Sequence, residues 1–373
     1  MNATSPLAAL ARRSVAVIRA NQAPSGAYLA SPNFPVYRYS WFRDGAFIAD
    51  AMSRAGDGAS AEAFFRWCAA VVEARAAKIG SLIDRHRAGQ AIGPDEFLHA
   101  RYTVEGEEVS HEWWNFQLDG YGTWLWALAA HARRTKAVNL DTYRTAIALS
   151  VRYLVEFWNE PSYDWWEEHV GQRHTSTLAA LYAGFVEARQ WEQLPADLRE
   201  QAGRTAEAIR QTVLARGRQD GHLVKWLGGD ALDASLVACG VPFGLLKPDD
   251  PIMTATIAAI ESRLAHGGVH RYLDDTYYGG GEWPLLSALL GWHYATVGRV
   301  KDAHAQLDWI VKHATAEQDL PEQVPDHLLA PGARQAWIDR WGPVATPLLW
   351  SHAMFLTLAL ELGALTAPIT VAE

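Results

Sequence analysis

Twelve stretches of helix-period sequence, parted by short Gly- or Pro-bearing breaks and accompanied by few strand signals, leave this 373-residue chain little choice of architecture. The spacing of apolar residues predicts helices over 5–20, 44–55, 58–88, 117–134, 140–158, 174–190, 196–216, 232–240, 250–265, 281–297, 300–316 and 346–362. Ser5 followed by Pro6 reads as an N-cap with proline at the first helical position. Breaks such as "GDG" at 56–58 and the "GG" pairs at 228–229 and 267–268 separate neighbours. Length alone would allow two domains, yet no Pro/Ser-rich linker or low-complexity segment divides the chain. The expectation is an all-α protein with a single domain over 1–373: six helical hairpins closed into a double-layered ring, an (α/α)6 barrel. An open solenoid of helix pairs is the rival. The ring is favoured because polar, aromatic-rich loops recur before alternate helices, as if they converged on one end. These loops are 37–44, 111–119, 163–174, 271–283 and 320–327.

Composition narrows the partners. The formal net charge is −9 and no basic block is present, which argues against nucleic acid. The first residues lack the order of a signal peptide and no apolar run reaches the length of a membrane span, so a cytoplasmic protein with no membrane partner is expected. Cys68 and Cys239 sit in apolar runs and read as buried thiols. The 14 histidines are scattered; His169 and His174 straddle one loop without a third ligand at sensible spacing, so no metal is expected. No Gly-rich phosphate loop, Ser–His–Asp signature or HExxH motif appears, and no cofactor is implied.

The five loops share one chemistry. "YRYSWFRDG" (37–45) ends in Arg43 and Asp44, "HEWWNFQLDGYG" (111–122) sets two tryptophans beside Gln117 and Asp119, and "YDWWEEH" (163–169) joins two more to Glu167 and Glu168. "RYLDDTYYGGGEW" (271–283) carries Arg271, Asp275 and Glu282, and "LPEQV" (320–324) places Glu322 outside any amphipathic stripe. Taken singly, Asp44, Asp119 or Glu282 would serve as first-turn acids that complement a helix dipole. Together the loops interleave carboxylates and guanidinium groups with Trp and Tyr faces, and the chain holds 17 tryptophans against 13 tyrosines and 11 phenylalanines. A hydroxyl-rich ligand needs both, planar hydrogen-bonding groups around its equator and apolar surface against its C–H faces.

Those motifs, with "PLLWSHA" at 347–353, resemble in this order glycoside hydrolase family 15, the family of glucoamylases, glucodextranases, isomaltose-type glucohydrolases and some trehalases. The resemblance runs from about residue 25 to 362. It implies an (α/α)6 catalytic barrel that cleaves α-glucosidic bonds from the non-reducing end with inversion, releasing β-glucose. Carried over, Glu167 resembles the general acid and Glu322 the general base, and Glu168 resembles the neighbour that helps hold the sugar on the leaving-group side. Arg43 and Asp44 match a pair gripping the terminal glucose, Arg271 matches another substrate-binding arginine, and Tyr37 aligns with a tyrosine near the base and its water. Trp113, Trp166, Trp283 and Trp350 fall where the family places pocket aromatics. Gln117, Asp119 and Asp275 complete the candidate substrate contacts.

Such a mechanism carries physical demands. A general acid must be neutral, and burial against Trp166 with the like charge of Glu168 would raise the pKa of Glu167. Glu322 must be ionised to take a proton from water on the opposite face, which asks for carboxyls roughly 6.5–9.5 Å apart rather than the ~5 Å of a retaining pair. The absence of a β-sandwich or starch-binding module from the sequence favours a small α-glucoside, with the bare-barrel layout most similar to isomaltose-type, α-1,6-specific members. Maltose-type α-1,4 substrates, trehalose and a glucosylated metabolite are the alternatives within the family. From other classes, a sugar epimerase on the same barrel would call for a histidine pair, and a non-catalytic sugar-binding protein could dispense with one of the acids.

Overall fold

The structure, a computed structural model, describes residues 5–109, 115–136 and 138–370. Its helices are α1 (Pro6–Ala20), α2 (Phe42–Arg54), α3 (Gly58–Glu73), α4 (Ala76–Arg87), α5 (Asp119–Arg134), α6 (Arg144–Phe157), α7 (Thr175–Ala188), α8 (Ala196–Arg216), α9 (Pro251–Arg263), α10 (Pro284–Thr296), α11 (Val300–Lys312), α12 (Arg334–Trp341) and α13 (Leu349–Glu361). Two minimal antiparallel ribbons accompany them: β1 (Ser40–Trp41) with β2 (Arg101–Tyr102), and β3 (Arg218–Gln219) with β4 (His222–Leu223).

Six elements form an inner ring in the order α2, α5, α7, the 3-10 helix Ala234–Cys239, α10 and α13, and α13 returns to pack on α2. The outer layer comprises α1, α3, α6, α8, α9 and α11. This is the (α/α)6 barrel, and its two layers differ in sequence for a physical reason. Inner helices are covered on all sides, so α10 ("PLLSALLGWHYAT") and α13 ("LWSHAMFLTLALE") are apolar almost all round. Outer helices bury one stripe: in α11 it is Ala303, Leu307 and Ile310. Capping fixes several starts. Ser5 accepts the amide of Ala8, and Asp57 and Asp250 accept amides of Ser60 and Ile252 ahead of α3 and α9, each cap contributing about 1 kcal/mol.

Three elements depart from the sequence expectation. The helix expected over 58–88 is two, broken at Ala74 and Arg75 without Gly or Pro. There the guanidinium of Arg75 donates to the carbonyls of Val71 and Gly106 and lies over the Tyr102 ring, so a long-range contact turns the chain. The helix expected over 232–240 is a six-residue 3-10 helix, its start fixed by the Asp233 carboxylate on the amide of Ser235 and its run stopped before Gly240 and Pro242. Helix α12 had no counterpart in the periodicity, because none of its residues is buried and no apolar stripe marks it.

The inner ring closes tightly at paired glycines. A Cβ on Gly122 of α5 would lie 2.5 Å from the carbonyl oxygen of Ala180 on α7, and one on Gly184 of α7 would lie 2.9 Å from the carbonyl of Gly122. Gly122→Ala therefore forces two inner helices apart and is expected to lower stability in urea unfolding by about 2 kcal/mol. Gly80→Ala, in the interior of α4 where an added methyl meets nothing within 4 Å, is expected to raise it by roughly 0.5 kcal/mol.

Candidate active site

Several inner elements present their N-terminal ends, or the loops before them, to one cavity of about 1080 Å³. Arg43 and Asp44 lie in the first turn of α2, Asp119 opens α5, Trp283 caps α10 and Trp350 is the second residue of α13. The loops 163–168 and 271–283 precede α7 and α10, and Glu322 precedes α13. The β1–β2 ribbon pairs Trp41 with Arg101, which brings both to the cavity wall, the guanidinium 5.3 Å from the indole centroid.

Glu322 is buried, and the hydroxyl of Tyr37 donates to its Oε1 at 2.9 Å. With that proton committed, Tyr277 is the donor in the 3.0 Å bond between the two tyrosine hydroxyls. Oε2, also buried, has no hydrogen-bond partner among the described residues. Burial pushes the Glu322 carboxyl up to about 7, while Tyr37, the charge of Arg271 and Tyr277 pull it back. The expectation that Glu322 is ionised therefore holds from about neutral pH upward.

Glu167 stands on a loop folded around Asp164. Asp164 Oδ1 accepts the amides of Trp166 (3.0 Å) and Glu168 (2.8 Å), and its carbonyl accepts that of Glu167. Between those anchors Glu167 takes φ 62, a left-handed conformation that costs a residue with a Cβ of order 1 kcal/mol and that marks functional sites. Its Oε1 accepts the indole N–H of Trp41 at 2.7 Å. The two neighbours expected to act on Glu167 are engaged elsewhere. Trp166 turns its indole N–H to Asp233, and the carboxylate of Glu168 accepts from Tyr272 at 2.5 Å with Arg271 3.6 Å away. The rings of Tyr37 and Trp41, one holding each catalytic candidate, meet edge to face at 5.8 Å.

Two buried arginines complete the wall. Arg43 donates to Gln117 (2.9 Å) and Asp119 (3.1 Å) and lies 3.2 Å from Asp44. Burial would lower the guanidinium's pKa; Asp44 and Asp119 more than reverse that. Burial pushes Asp44 up to about 6, Arg43 opposing and Glu167 adding to the rise. Arg271 is held in a fork by Asp275 (2.7 and 2.6 Å), whose Oδ1 also takes the amide of Tyr277.

Of the candidate residues, Tyr37, Arg43, Asp44, Trp166, Glu167, Glu168, Arg271, Trp283, Glu322 and Trp350 line the cavity. Gln117, Asp119 and Asp275 do not: they are buried behind the arginines they orient, a correction to their expected place as substrate contacts. Trp113 lies outside the described residues. Trp41, Trp165 and Tyr277 sit inside quoted motifs yet were not singled out, whereas Arg101 sits in a stretch that carried no signal. Helix α12 contributes Trp337, Arg340 and Trp341 to the rim.

Among known proteins, the model of glycosyl hydrolases family 15 matches residues 6–324. The chain is 49% identical over 359 residues to an isomaltose glucohydrolase of Kribbella flavida, covering 95% of this chain and 93% of that one. A trehalase of Mycolicibacterium smegmatis is 28% identical over 66% of this chain and 40% of its own length. Among solved structures, a glycosidase superposes with a TM-score of 0.94 at 48% identity, covering 96% of this chain and 98% of that chain, and a variant in complex with glucose superposes equally well. A bacterial glucoamylase complexed with acarbose shares the fold (TM-score 0.76, 19% identity, 97% of this chain and 56% of that one). No helix among the described residues is long and apolar enough to cross a membrane.

The elevated pKa of Glu322 sets a stability prediction. Its folded value, about 7, exceeds the ordinary 4.5, so its contribution to stability is complete below pH 4.5 and is lost as pH rises through 7. Glu322→Gln keeps the neutral shape and is expected to be more stable than the parent at pH 8 by about 3 kcal/mol, and no more stable at pH 4. Urea unfolding of both proteins across pH 4–8 checks it.

Proposed function

This chain belongs to glycosyl hydrolase family 15 and is a glycoside hydrolase, and from that premise we propose that it releases β-D-glucose from the non-reducing end of a small α-glucoside, foremost the α-1,6-linked disaccharide isomaltose. The observation that carries the chemistry is the pair Glu167 and Glu322 on one cavity, each with a carboxylate oxygen that accepts from a neighbouring aromatic donor. The linkage rests on the near full-length similarity to an isomaltose glucohydrolase. The trehalase relative matches at lower identity and over a smaller share of both chains, so trehalose fits less well.

The terminal glucose sits against Trp166, Trp283 and Trp350, with Asp44 and the guanidinium groups of Arg43 and Arg271 at its hydroxyls. Each arginine is already fixed by carboxylates behind it, so little side-chain entropy is lost when sugar binds. Glu167 gives its proton to the glycosidic oxygen as the C–O bond breaks. Water attacks the anomeric carbon from the opposite face and passes a proton to Glu322, whose Oε2 is the oxygen not taken by Tyr37. One displacement inverts the anomeric centre. Burial costs Glu322 its charge in acid but brings its pKa toward working pH, where a general base is most effective.

Glucose release from isomaltose, maltose, trehalose, kojibiose and nigerose tests the reading. Isomaltose is expected to be cleaved fastest, with the β anomer appearing first by NMR, and Glu322→Ala is expected to lose at least about 100-fold in kcat. Release from none of the five would overturn the substrate assignment; α-glucose appearing first would overturn inversion. On the acid side, kcat/KM is expected to fall with an apparent pKa near 7, reporting Glu322 in the free enzyme.

A further inference from the structure

One buried cation lies beneath the whole of the Glu167 loop. Lys225 follows β4 in the apolar run "HLVKWL" and is 4% exposed. Its backbone is pinned on both sides, the amide donating to the carbonyl of Ala231 (2.7 Å) and the carbonyl accepting from Thr175, the first residue of α7 (2.9 Å). Its Nζ stands 3.1 Å from Asp164 Oδ2, 3.0 Å from Asp233 Oδ2 and 3.8 Å from the centroid of the Tyr272 ring.

Each of these three partners fixes a different group of the loop: two main-chain amides, an indole and a carboxylate. Asp164 holds the amides on either side of Glu167. Asp233 receives the indole N–H of Trp166 through the same oxygen that faces the lysine. Tyr272 donates to the carboxylate of Glu168. A residue with a Cβ at φ 62 persists where its surroundings over-determine it, and here those surroundings meet at one ammonium group.

We infer that Lys225 is a positioning residue for Glu167, its ammonium locking Asp164, Asp233 and Tyr272 so that the loop delivers the Glu167 carboxyl to the leaving-group oxygen. The inference rests on Glu167 being the general acid. Its physical basis is the cost of buried charge. Asp164 can accept two amides and face a third group as an ionised carboxylate. Burial would favour its neutral form, and Lys225 with His174 returns it below the ordinary carboxylate value. Remove the ammonium, and two buried carboxylates a few ångströms apart lose their shared counter-ion. One must take a proton or move, and either change loosens the turn on which Glu167 stands. A loop displaced by about 1 Å forfeits roughly 100-fold in rate when the lost geometry belongs to a proton transfer.

Paired substrates separate positioning from general damage to the fold. Isomaltose has a poor leaving group that needs the acid's proton, whereas α-D-glucosyl fluoride expels fluoride without one. In Lys225→Met and Lys225→Gln, kcat on isomaltose is expected to fall about 100-fold, with kcat on the fluoride changing by less than about 3-fold. Glu167→Gln, measured alongside, is expected to show the same selective loss, larger in size. Equal loss of both substrates in the Lys225 variants, or loss of neither, would overturn the positioning role while Glu167→Gln still reports on the acid. A Glu167→Gln enzyme that loses both substrates equally overturns the general-acid reading and this inference with it. Should the single variants fail to accumulate in folded form, Lys225→Met with Asp233→Asn leaves one uncompensated charge rather than two and takes the same measurements with the same outcomes decisive.

Discussion

The guanidinium of Arg43 is buried at the mouth of the inner ring, and much of the local architecture follows from what that burial demands. A cation removed from water costs several kcal/mol unless acceptors replace the solvent around it. Here they come from separate parts of the chain: Gln117 and Asp119 at the start of α5, and Asp44 on the same turn of α2, with the indole of Trp350 from α13 beneath the charge at 5.2 Å. One side chain thereby ties three inner helices together at the end where their N-termini converge. Arg271 repeats the arrangement across the cavity, forked by Asp275 and stacked near Trp166 and Trp283. The rigid ring beneath is apolar; its open end is held by charge.

That choice shapes the chemistry. Helix N-termini favour anions, and several face this cavity, yet Asp44 and Glu322 are pushed up to about 6 and about 7. Desolvation outweighs the dipoles because both carboxyls are buried in the wall of an aromatic-lined cavity. A site suited to grip a sugar through apolar faces thus brings Asp44 and Glu322 toward neutral-pH titration without a separate device. The consequence is a stability burden at high pH carried by Asp44 and Glu322.

The barrel and most of the site were legible in the sequence because both leave short-range marks. Inner helices read as apolar runs, and motifs such as "YRYSWFRDG" and "LPEQV" place Tyr37 and Glu322 in recognisable company. The failures share a different cause. Gln117, Asp119 and Asp275 have the chemistry of sugar contacts, but whether a carboxylate faces a ligand or an arginine is decided by depth, which linear adjacency does not encode. The break after Glu73 depends on Arg75 finding the carbonyl of Gly106, thirty-one residues away. Lys225 carried a readable signal, a lone lysine between valine and tryptophan in an apolar run, but its partners Asp164, Asp233 and Tyr272 come from three distant stretches.

The two carboxylates are also supported in different ways, which determines what each can tolerate. The Glu322 segment is held by main chain: the Glu322 amide donates to Ala345, Val324 pairs both ways with Glu282, and Leu348 donates to Leu320. Gly281 lies so close to this ladder that a Cβ there would stand 2.3 Å from the carbonyl of Val324, and Gln323 closes it by accepting the Gly281 amide and donating to the carbonyl of Tyr277. Backbone hydrogen bonds do not titrate, so this support is indifferent to pH and vulnerable to bulk. The Glu167 loop adds to its own backbone bonds a set of ionised side chains around Lys225, which makes it vulnerable to charge. The roles proposed for the two residues ask for this asymmetry: a base must keep a fixed distance from the anomeric carbon while water fits between, whereas an acid must reach an oxygen that moves as it departs.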